Sequence, residues 1–244
     1  ARRVYIEKKN STKKRPLGIP STEDKLVQEV VKMILESIYE PNFSECSHGF
    51  RPKRSCHSAL QQIQNQFTGI TWFVEGDIHA CFDSFDHHVL VDILRERIED
   101  ENFLALIWKM LKAGYMEQWV YNCTFSGTPQ GSGVSPILAN IYLSKLDDFA
   151  EKLKKSFDKG KSKDNQEYQR AASKLFYIRR RNRANWENWN EQQRKEALRL
   201  QKDAINYMHS LPSKRANNEE YKSLVYCRYA DDFLIGVIGS FEDA

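Results

Sequence analysis

The stretch Leu224-Val-Tyr-Cys-Arg-Tyr-Ala-Asp-Asp-Phe-Leu-Ile-Gly-Val-Ile238 is the part of the chain around which the fold is organised. Two runs of aliphatic and aromatic residues flank a polar break at Ala230, Asp231 and Asp232, which predicts a β-hairpin with acids at its turn. Neither acid has a basic residue beside it, Arg228 being the nearest. Two unpaired carboxylates on a mostly buried sheet repel each other unless a cation lies between them. The pattern leaves two interpretations open, a solvated acidic loop and a metal site.

Composition limits the class of protein and its compartment. The 244 residues are 41% hydrophobic, which is enough core material for one large or two small domains. No apolar run reaches membrane-spanning length, and the N-terminal residues lack the apolar core of a signal peptide. The five cysteines are odd in number and scattered, which favours free thiols over disulfides or a zinc cluster. We therefore predict a cytoplasmic protein without membrane contact.

Charge is distributed unevenly along a chain whose net charge is +4. Residues 151–222 contain 19 Lys and Arg against 10 Asp and Glu, and the first 15 residues hold 7 basic side chains against Glu7 alone. The remainder is acidic. Basic regions gain free energy beside phosphates through counterion release, so this layout favours a polyanionic partner. A solvated basic surface would explain either region taken alone.

The hydrophobic pattern predicts several helices with recognisable starts. Ser21 and Ser55 are candidate capping residues, and each is followed by apolar residues at helical spacing. Asp86 is a candidate N-cap or first-turn acid of another helix. We expect His87 and His88, at the beginning of that helix, to lie at the surface.

Residues 155–222 differ in character, because Lys, Arg, Asn and Gln dominate them. Apolar residues still recur at helical spacing, which predicts a helical hairpin with Trp186 and Trp189 near its bend. Packing within the hairpin explains these tryptophans better than stacking on bases does. The basic excess favours binding of RNA or of a second copy of the chain.

Three carboxylates are candidates for a single metal site. The β-branched and aromatic run over residues 70–78 predicts a buried strand with Asp77 near its end. If this strand lies beside the hairpin, Asp77 meets Asp231 and Asp232. Three such acids can hold two Mg²⁺ ions about 3.5–4 Å apart, the arrangement used for in-line phosphoryl transfer.

Three short motifs resemble those of reverse transcriptases. Tyr229-Ala-Asp-Asp232 is similar to their YxDD box. Asp77, followed by Phe82 and Asp83, resembles their first catalytic motif. Pro129-Gln-Gly131, followed by Ser135-Pro136 and Asn140, resembles the loop and helix that hold the nucleotide and the template.

Two further motifs narrow the resemblance. Arg15-Pro-Leu-Gly-Ile-Pro20 and Gly49-Phe-Arg-Pro52 resemble the fingers motifs of group II intron-encoded proteins. Proteins of that family are maturases with RNA-dependent DNA polymerase activity. A single YxDD motif is a weak signal, whereas five motifs in the family's order, spread over residues 13–238, are a specific one.

The resemblance implies an α+β fold with the fingers and palm of a right-hand polymerase, in which an antiparallel palm sheet packs on helices. The fingers would occupy residues 1–70, and the first part of the palm, with some fingers elements, residues 71–154. Residues 155–222 would be a basic helical insertion and residues 223–244 the catalytic hairpin of the palm. The thumb would lie outside this chain, so we expect weak or absent processive synthesis from the chain alone.

The resemblance also implies a set of metal ligands. Asp77 and Asp231 would bind both ions, with Asp232 as a weaker or supporting ligand. The backbone carbonyl of Ile78 would be a further ligand.

Other residues would contact the incoming nucleotide. Arg15 and Arg51 would bind the triphosphate through their planar donors. Gln130 and Gly131 would contact the nucleotide itself, and Phe82 would lie under the sugar and exclude a 2′-hydroxyl. From the residues alone, Phe82 could equally be a core aromatic and Arg51 a solvated loop residue.

The implied function is that of an RNA-directed DNA polymerase of a group II intron, which also binds intron RNA to assist splicing and mobility. Its cofactors would be two Mg²⁺ ions, with Mn²⁺ able to substitute. Its partners would be the intron RNA template, a DNA primer or target, dNTPs and a second copy in a homodimer, in a nucleoprotein of a bacterial or organellar host. Two alternatives remain, a non-catalytic RNA-binding maturase and a retron-type reverse transcriptase or another palm polymerase.

Overall fold

A computed structural model describes residues 1–7, 14–124, 126–128, 131–161, 163, 165–211, 213 and 221–244. The chain divides into two compact units. The first unit comprises Ala1–Phe67, Phe73–Ser156 and Val225–Gly236. The second comprises Thr68–Trp72, Phe157–Leu224 and Val237–Ala244.

Helices and strands alternate irregularly along the described residues. The helices are α1 (Thr22–Tyr39), α2 (Cys56–Gln66), α3 (Cys81–Ser84), α4 (His87–Arg95), α5 (Glu101–Lys112), α6 (Ser135–Phe157), α7 (Gln166–Asn185) and α8 (Glu191–Ser210). The strands are β1 (Arg2–Glu7), β2 (Lys14–Ile19), β3 (Trp72–Asp77), β4 (Tyr115–Glu117), β5 (Val120–Asn122), β6 (Ser223–Tyr229) and β7 (Asp232–Ile238). This mixture confirms the predicted α+β class.

Side-chain capping starts the helices where the sequence predicted. The Ser21 hydroxyl accepts the Asp24 N–H at 3.1 Å, and the carboxylate of Asp86 accepts the N–H groups of His88 and Val89. Each bond satisfies backbone donors that a helix start otherwise leaves unpaired. At Ser55 the cap is reciprocal with Ser58, in a capping box.

Four helices of the first unit build its main core. Buried aliphatic and aromatic side chains of α1, α4, α5 and α6 pack together, among them Leu35, Leu90, Leu104 and Ile141. The apolar face predicted for α1 is only partly buried in this core. Val31 and Leu35 are buried, whereas Leu26 and Val30 are more than half exposed.

A four-stranded sheet of the first unit has the order β2-β1-β4-β5. Strands β1 and β2 are antiparallel, with Val4 opposite Leu17. Pro16 lacks a backbone N–H and is found within β2, opposite Tyr5. The Arg15–Pro20 motif therefore lies mainly in a strand.

The second sheet carries the hairpin and has the order β3-β7-β6. The two residues Ala230 and Asp231 join β6 to β7, so these strands run antiparallel. Strand β3 lies at the edge of this sheet. The prediction of a buried strand was wrong there, because Trp72 and Phe73 are exposed in the edge strand, although the strand itself is present.

In the second unit, helices α7 and α8 pack against each other. Ala171, Leu175 and Ala197 are buried, and the side-chain amide of Asn182 donates to the Ala197 carbonyl at 3.3 Å. Near the bend, the guanidinium of Arg194 lies 5.5 Å from the Trp186 ring and that of Arg181 lies 5.7 Å from the Trp189 ring. Both tryptophans are thus engaged within the hairpin.

No helix among the described residues is long and apolar enough to cross a membrane.

Candidate active site

The turn between β6 and β7 is held in a conformation that is uncommon for its residues. Ala230 has a φ of 58°, in the left-handed region that disfavours side chains with a Cβ. The Asp231 side chain, next along the turn, is half-buried, and Asp232, the first residue of β7, is exposed. A strained turn persists only where its surroundings hold it.

The structure brings the end of β3 to this turn. The Ile78 N–H donates to the Asp231 carbonyl at 3.3 Å, which fixes Asp77 and Ile78 beside the acids of the hairpin. The pKa of the nearby Cys81 thiol is raised to about 11, chiefly by burial and in addition by the negative charges of Asp231 and Asp77. The predicted ligands Asp77, Ile78 and Asp231 therefore meet at one place.

The carboxylate of Asp232 lies among the same negative charges. Its pKa is raised above the usual 3.8, chiefly by partial burial and then by the charges of Asp231, Asp77 and Glu75. No described Lys or Arg forms an ion pair with Asp77, Asp231 or Asp232, since Arg228 pairs with Asp147 instead. The site therefore concentrates negative charge that no cation among the described side chains balances.

We expect Asp232→Asn to stabilise the metal-free protein at neutral pH. Because the pKa of Asp232 is higher in the folded state than its usual 3.8, the ionised carboxylate opposes folding, and this penalty is complete above the folded-state pKa. The gain should reach at most about 1 kcal/mol for an exposed group and should vanish below pH 3.8. Urea denaturation in the presence of a chelator, at pH 7 and at pH 3, measures the free energy of unfolding of the variant and of the wild type. If the variant differs from the wild type by the same amount at both pH values, the prediction is contradicted.

The donor chemistry of the site fits Mg²⁺. Carboxylates and a backbone carbonyl are the hard oxygen ligands that this ion prefers, and it retains several waters, so a few protein ligands suffice. Within the described part of the chain, no three His, Cys, Asp or Glu side chains converge closely enough to enclose an ion. The backbones that carry the carboxylates are hydrogen-bonded to each other, and each carboxylate lies within the electrostatic influence of the others. The carboxylates do not enclose an ion in this arrangement, so waters and substrate phosphates would supply the remaining ligands.

Phe82 lies in α3, just after the Asp77 strand. Its half-buried ring meets Phe50 edge-on at 6.0 Å and Phe85 at 6.2 Å between centroids. It packs against a small core that contains Cys81 and Leu143. The ring is thus packed against other aromatic side chains, and the contact with Phe50 joins it to the Gly49–Pro52 motif.

Arg51 is not the solvated loop residue that one interpretation predicts, because its guanidinium is buried and binds Glu40 at 2.9 Å. It also donates to the carbonyls of Ser44 and Ser47 at 2.6 and 2.8 Å. These partners bond all three nitrogens of the guanidinium, and the contact with a triphosphate stays a prediction. The structure shows Arg51 as an organiser of its own loop.

The other predicted nucleotide contacts are only partly described. Gly131 has a φ of 102°, and a Cβ there would lie 2.7 Å from the Gly18 carbonyl, so glycine is required for close packing against β2. This packing brings Gly131 to the strand that carries Arg15. Gln130 lies outside the described residues, and only the backbone of Arg15, opposite Ile6, is described.

His87 corrects another expectation. We predicted a surface position, but His87 is buried, and its Nε2 lies 2.7 Å from the Gly127 carbonyl. Gly127 begins the loop that leads to Gly131, and its N–H donates to the Phe85 carbonyl at 2.8 Å. His87 therefore fixes the base of the predicted nucleotide loop.

Sequence reasoning missed a buried polar network beneath the hairpin turn. Arg228 is fully buried, and its guanidinium donates to both oxygens of Asp147, each at 2.7 Å. The Tyr226 hydroxyl donates to Asp147 at 2.9 Å, and Arg228 also reaches Asn140 and Ser47. We call Ser47, Asn140, Asp147, Tyr226 and Arg228 the Arg228 network. A lone arginine in an otherwise apolar strand was the available signal, because such a group is rarely buried without a partner.

Comparison with known proteins places this chain in a family. The model of the family "Reverse transcriptase (RNA-dependent DNA polymerase)" matches residues 6–164, which include β3 and the loop before α6. The group II intron-encoded protein LtrA of Lactococcus lactis subsp. cremoris is 49% identical over 243 residues, 99% of this chain and 39% of LtrA. The 91 kDa protein in the cob intron of Schizosaccharomyces pombe is 46% identical over 240 residues, 98% of this chain and 28% of that protein. The protein YkfC of Escherichia coli is 36% identical over 246 residues, 98% of this chain and 55% of YkfC.

These matches extend beyond the motifs quoted from the sequence. The chain spans 39% of the length of LtrA, and the alignment covers 99% of the chain, with the family match ending at residue 164. The resemblance to group II intron-encoded proteins is thereby confirmed. The chain belongs to the reverse transcriptase (RNA-dependent DNA polymerase) family.

Proposed function

We propose that this chain is the fingers and palm portion of a group II intron RNA-directed DNA polymerase, which copies RNA into DNA by two-metal nucleotidyl transfer. The observation that carries the proposal is the hydrogen bond that places Asp77 and Ile78 beside the turn of Asp231 and Asp232, where no described Lys or Arg forms an ion pair with these acids. A protein with no metal to bind gains nothing from such repulsion. Family membership supports the reaction class, and the similarity to LtrA supports the intron origin.

Asp77 and Asp231 are the proposed shared ligands of two Mg²⁺ ions, and the Ile78 carbonyl is a further ligand. Asp232 is a supporting ligand, which agrees with its greater exposure. Bound Mg²⁺ supplies charge neutralisation on the phosphates and a lowered pKa of the attacking 3′-hydroxyl. The protein's contribution is to hold the carboxylates in place on the end of an edge strand and on a two-residue turn.

Nucleotide selection is assigned to residues around this turn. Phe82 would lie under the sugar and exclude a 2′-hydroxyl, with Phe50 and Phe85 fixing its ring. Gly131 and Gln130 would approach the incoming nucleotide. Arg15 remains the proposed triphosphate contact, whereas Arg51 is assigned to the loop that its bonds organise.

Binding of intron RNA is assigned to the basic helical hairpin. On α7, Arg179, Arg180 and Arg183 are exposed, together with the aromatic side chains of Phe176 and Tyr177. Basic groups that neutralise phosphates, beside rings that can stack on bases, suit a single-stranded or looped RNA. The other partner that we propose for this segment is a second copy of the chain, in a homodimer.

Addition of one nucleotide to a DNA primer on an RNA template tests this function. We expect incorporation of a dNTP in Mg²⁺ or Mn²⁺, and its complete loss on chelation, because no residue can replace the charge of the ions. Addition of a single nucleotide is the suitable readout, since it does not require processive synthesis. RNA binding without incorporation in either metal would instead identify a non-catalytic RNA-binding maturase.

A further inference from the structure

The Arg228 network touches the backbone of the turn that carries Asp231. Besides Asp147, the guanidinium of Arg228 donates to the Ala230 carbonyl at 2.7 Å. Ala230 is the residue with a φ of 58°, and its carbonyl belongs to the peptide bond that leads into Asp231. A charge-assisted hydrogen bond at this carbonyl can hold a strained peptide that would otherwise relax.

The same arginine also fixes the loop that packs on the turn from the other side. The Arg228 N–H donates to the Cys46 carbonyl at 2.8 Å, and its carbonyl accepts the His48 N–H at 2.9 Å. The Ser47 hydroxyl accepts from the guanidinium at 2.8 Å. The loop before Gly49 is therefore bonded to β6 through the backbone and the side chain of a single residue.

Asn140 links this loop to helix α6 at the same point. Its amide donates to the Gly49 carbonyl at 2.8 Å, and its oxygen accepts from Arg228 at 3.3 Å. Gly49 lies so close to Ala230 that a Cβ would collide with the Ala230 backbone nitrogen. Ala230 in the turn therefore has two close neighbours, Gly49, which leaves room for its backbone, and Arg228, which donates a hydrogen bond to its carbonyl.

The ion pair of Arg228 and Asp147 is fully hydrogen-bonded within the protein and is inaccessible to water. Arg228 and Asp147 side chains are 0% and 1% exposed. Burial raises the pKa of the Tyr226 hydroxyl, and the charge of Asp147 adds to that effect, so Tyr226 remains a donor to Asp147. A buried ion pair seldom adds net stability over an apolar pair of the same volume, so its energy alone does not account for the network.

From these contacts we infer that Arg228, held by Asp147, is a positioning residue for nucleotidyl transfer. Its guanidinium holds the Ala230–Asp231 peptide so that the Asp231 carboxylate faces Asp77. This inference rests on the proposed polymerase function. In this role Arg228 acts through Asp231 rather than by contact with the nucleotide or the metal ions.

Two variants separate positioning from folding. Arg228→Met combined with Asp147→Leu replaces the ion pair by apolar side chains of similar size, which buried pairs generally tolerate. Arg228→Lys retains a positive charge beside Asp147, but a single ammonium cannot reproduce the planar fork that reaches Ala230, Asn140 and Ser47 together. If the double variant does not fold, Arg228→Lys carries the test.

Hydrogen exchange and kinetics supply the readouts. In either folded variant we expect faster amide exchange in the peptide around residues 229–233 and a 10- to 100-fold lower rate of nucleotide addition, with the KM for dNTP changed less than threefold. We also expect a higher Mn²⁺ concentration for half-saturation in electron paramagnetic resonance titrations. Leu104→Ala, in the core of α5, is the control that lowers stability without changing exchange at the turn or the rate.

The outcomes distinguish this inference from the proposed function. Exchange at the turn and nucleotide addition at wild-type rates in a folded variant would overturn the positioning role, while the function would stand. A wild-type protein that neither binds Mn²⁺ nor extends a primer would defeat the proposed function. The exchange of the turn would still decide in that case whether Arg228 holds the Asp231 peptide.

Discussion

Asp231→Asn is expected to lower nucleotide addition by at least about 10³-fold, while RNA binding stays within about twofold of the wild type. The asparagine has the same shape and keeps the backbone bond from the Ile78 N–H to the carbonyl of residue 231. It removes one negative charge from the carboxylates that we assign to two metal ions. Single-turnover primer extension measures the first quantity and fluorescence anisotropy with labelled intron RNA the second.

Asp148→Asn provides the matched control for this variant. Asp148 is an exposed acid on α6, beside the buried Asp147. Its substitution also removes one negative charge, but from a residue that has no part in the proposed metal site. We expect the control to extend a primer at the wild-type rate. Equal activity of Asp231→Asn and Asp148→Asn would remove Asp231 from the metal site.

Asp147→Asn is expected to destabilise the fold by about 3–5 kcal/mol, the usual cost of breaking a buried ion pair from one side. The substitution leaves the guanidinium of Arg228 fully buried without an opposite charge, and it removes a charged acceptor of the Tyr226 hydroxyl. Removal of both charges together should cost much less. Equilibrium denaturation in urea measures the free energy of unfolding of each variant.

The single and double substitutions form their own comparison. A double variant with Arg228→Met and Asp147→Leu that unfolds at a higher urea concentration than Asp147→Asn would support this reasoning. A single variant that is as stable as the wild type would contradict it, because the buried charge would then be neutralised by some other route. Asp148→Asn again serves as the exposed control, with an expected change within about 0.5 kcal/mol.

Much of the architecture followed from local patterns. The hairpin over residues 224–238 was predicted from two runs of aliphatic and aromatic residues around a polar break. The structure begins β6 at Ser223 and assigns Asp232 to β7 rather than to the turn. The starts of α1 and α4 were predicted from Ser21 and Asp86, because capping is a local hydrogen bond that the sequence displays directly.

The failures share a physical cause, which is that burial depends on contacts distant in sequence. The apolar run of β3 predicts a buried strand, but its place at the edge of a three-stranded sheet leaves Phe73 exposed. His87 begins a helix, which favours a surface position, yet a carbonyl 40 residues away binds it in the interior. Arg51 carries a loop motif, and only the fold reveals that Glu40 and two carbonyls occupy its donors.

The Arg228 network shows the same limit most clearly. Its members come from a loop, from α6 and from β6, and no spacing in the sequence joins Ser47, Asp147 and Arg228. An acid on the apolar side of α6 and an arginine within an apolar strand were separate signals. Pairing them required the three-dimensional arrangement, in which Asp147 receives both guanidinium bonds.

Titration of the protein with Mn²⁺, followed by electron paramagnetic resonance, tests the central claim most directly, because it does not depend on any catalytic step. We predict that the wild-type protein binds Mn²⁺ and that Mg²⁺ competes for the site. Asp231→Asn should weaken this binding by more than tenfold, and Asp148→Asn should bind as the wild type does. Wild-type affinity in Asp231→Asn, or no binding by the wild type in the presence of primer, template and dNTP, would contradict the assignment of Asp77, Asp231 and Asp232 as metal ligands.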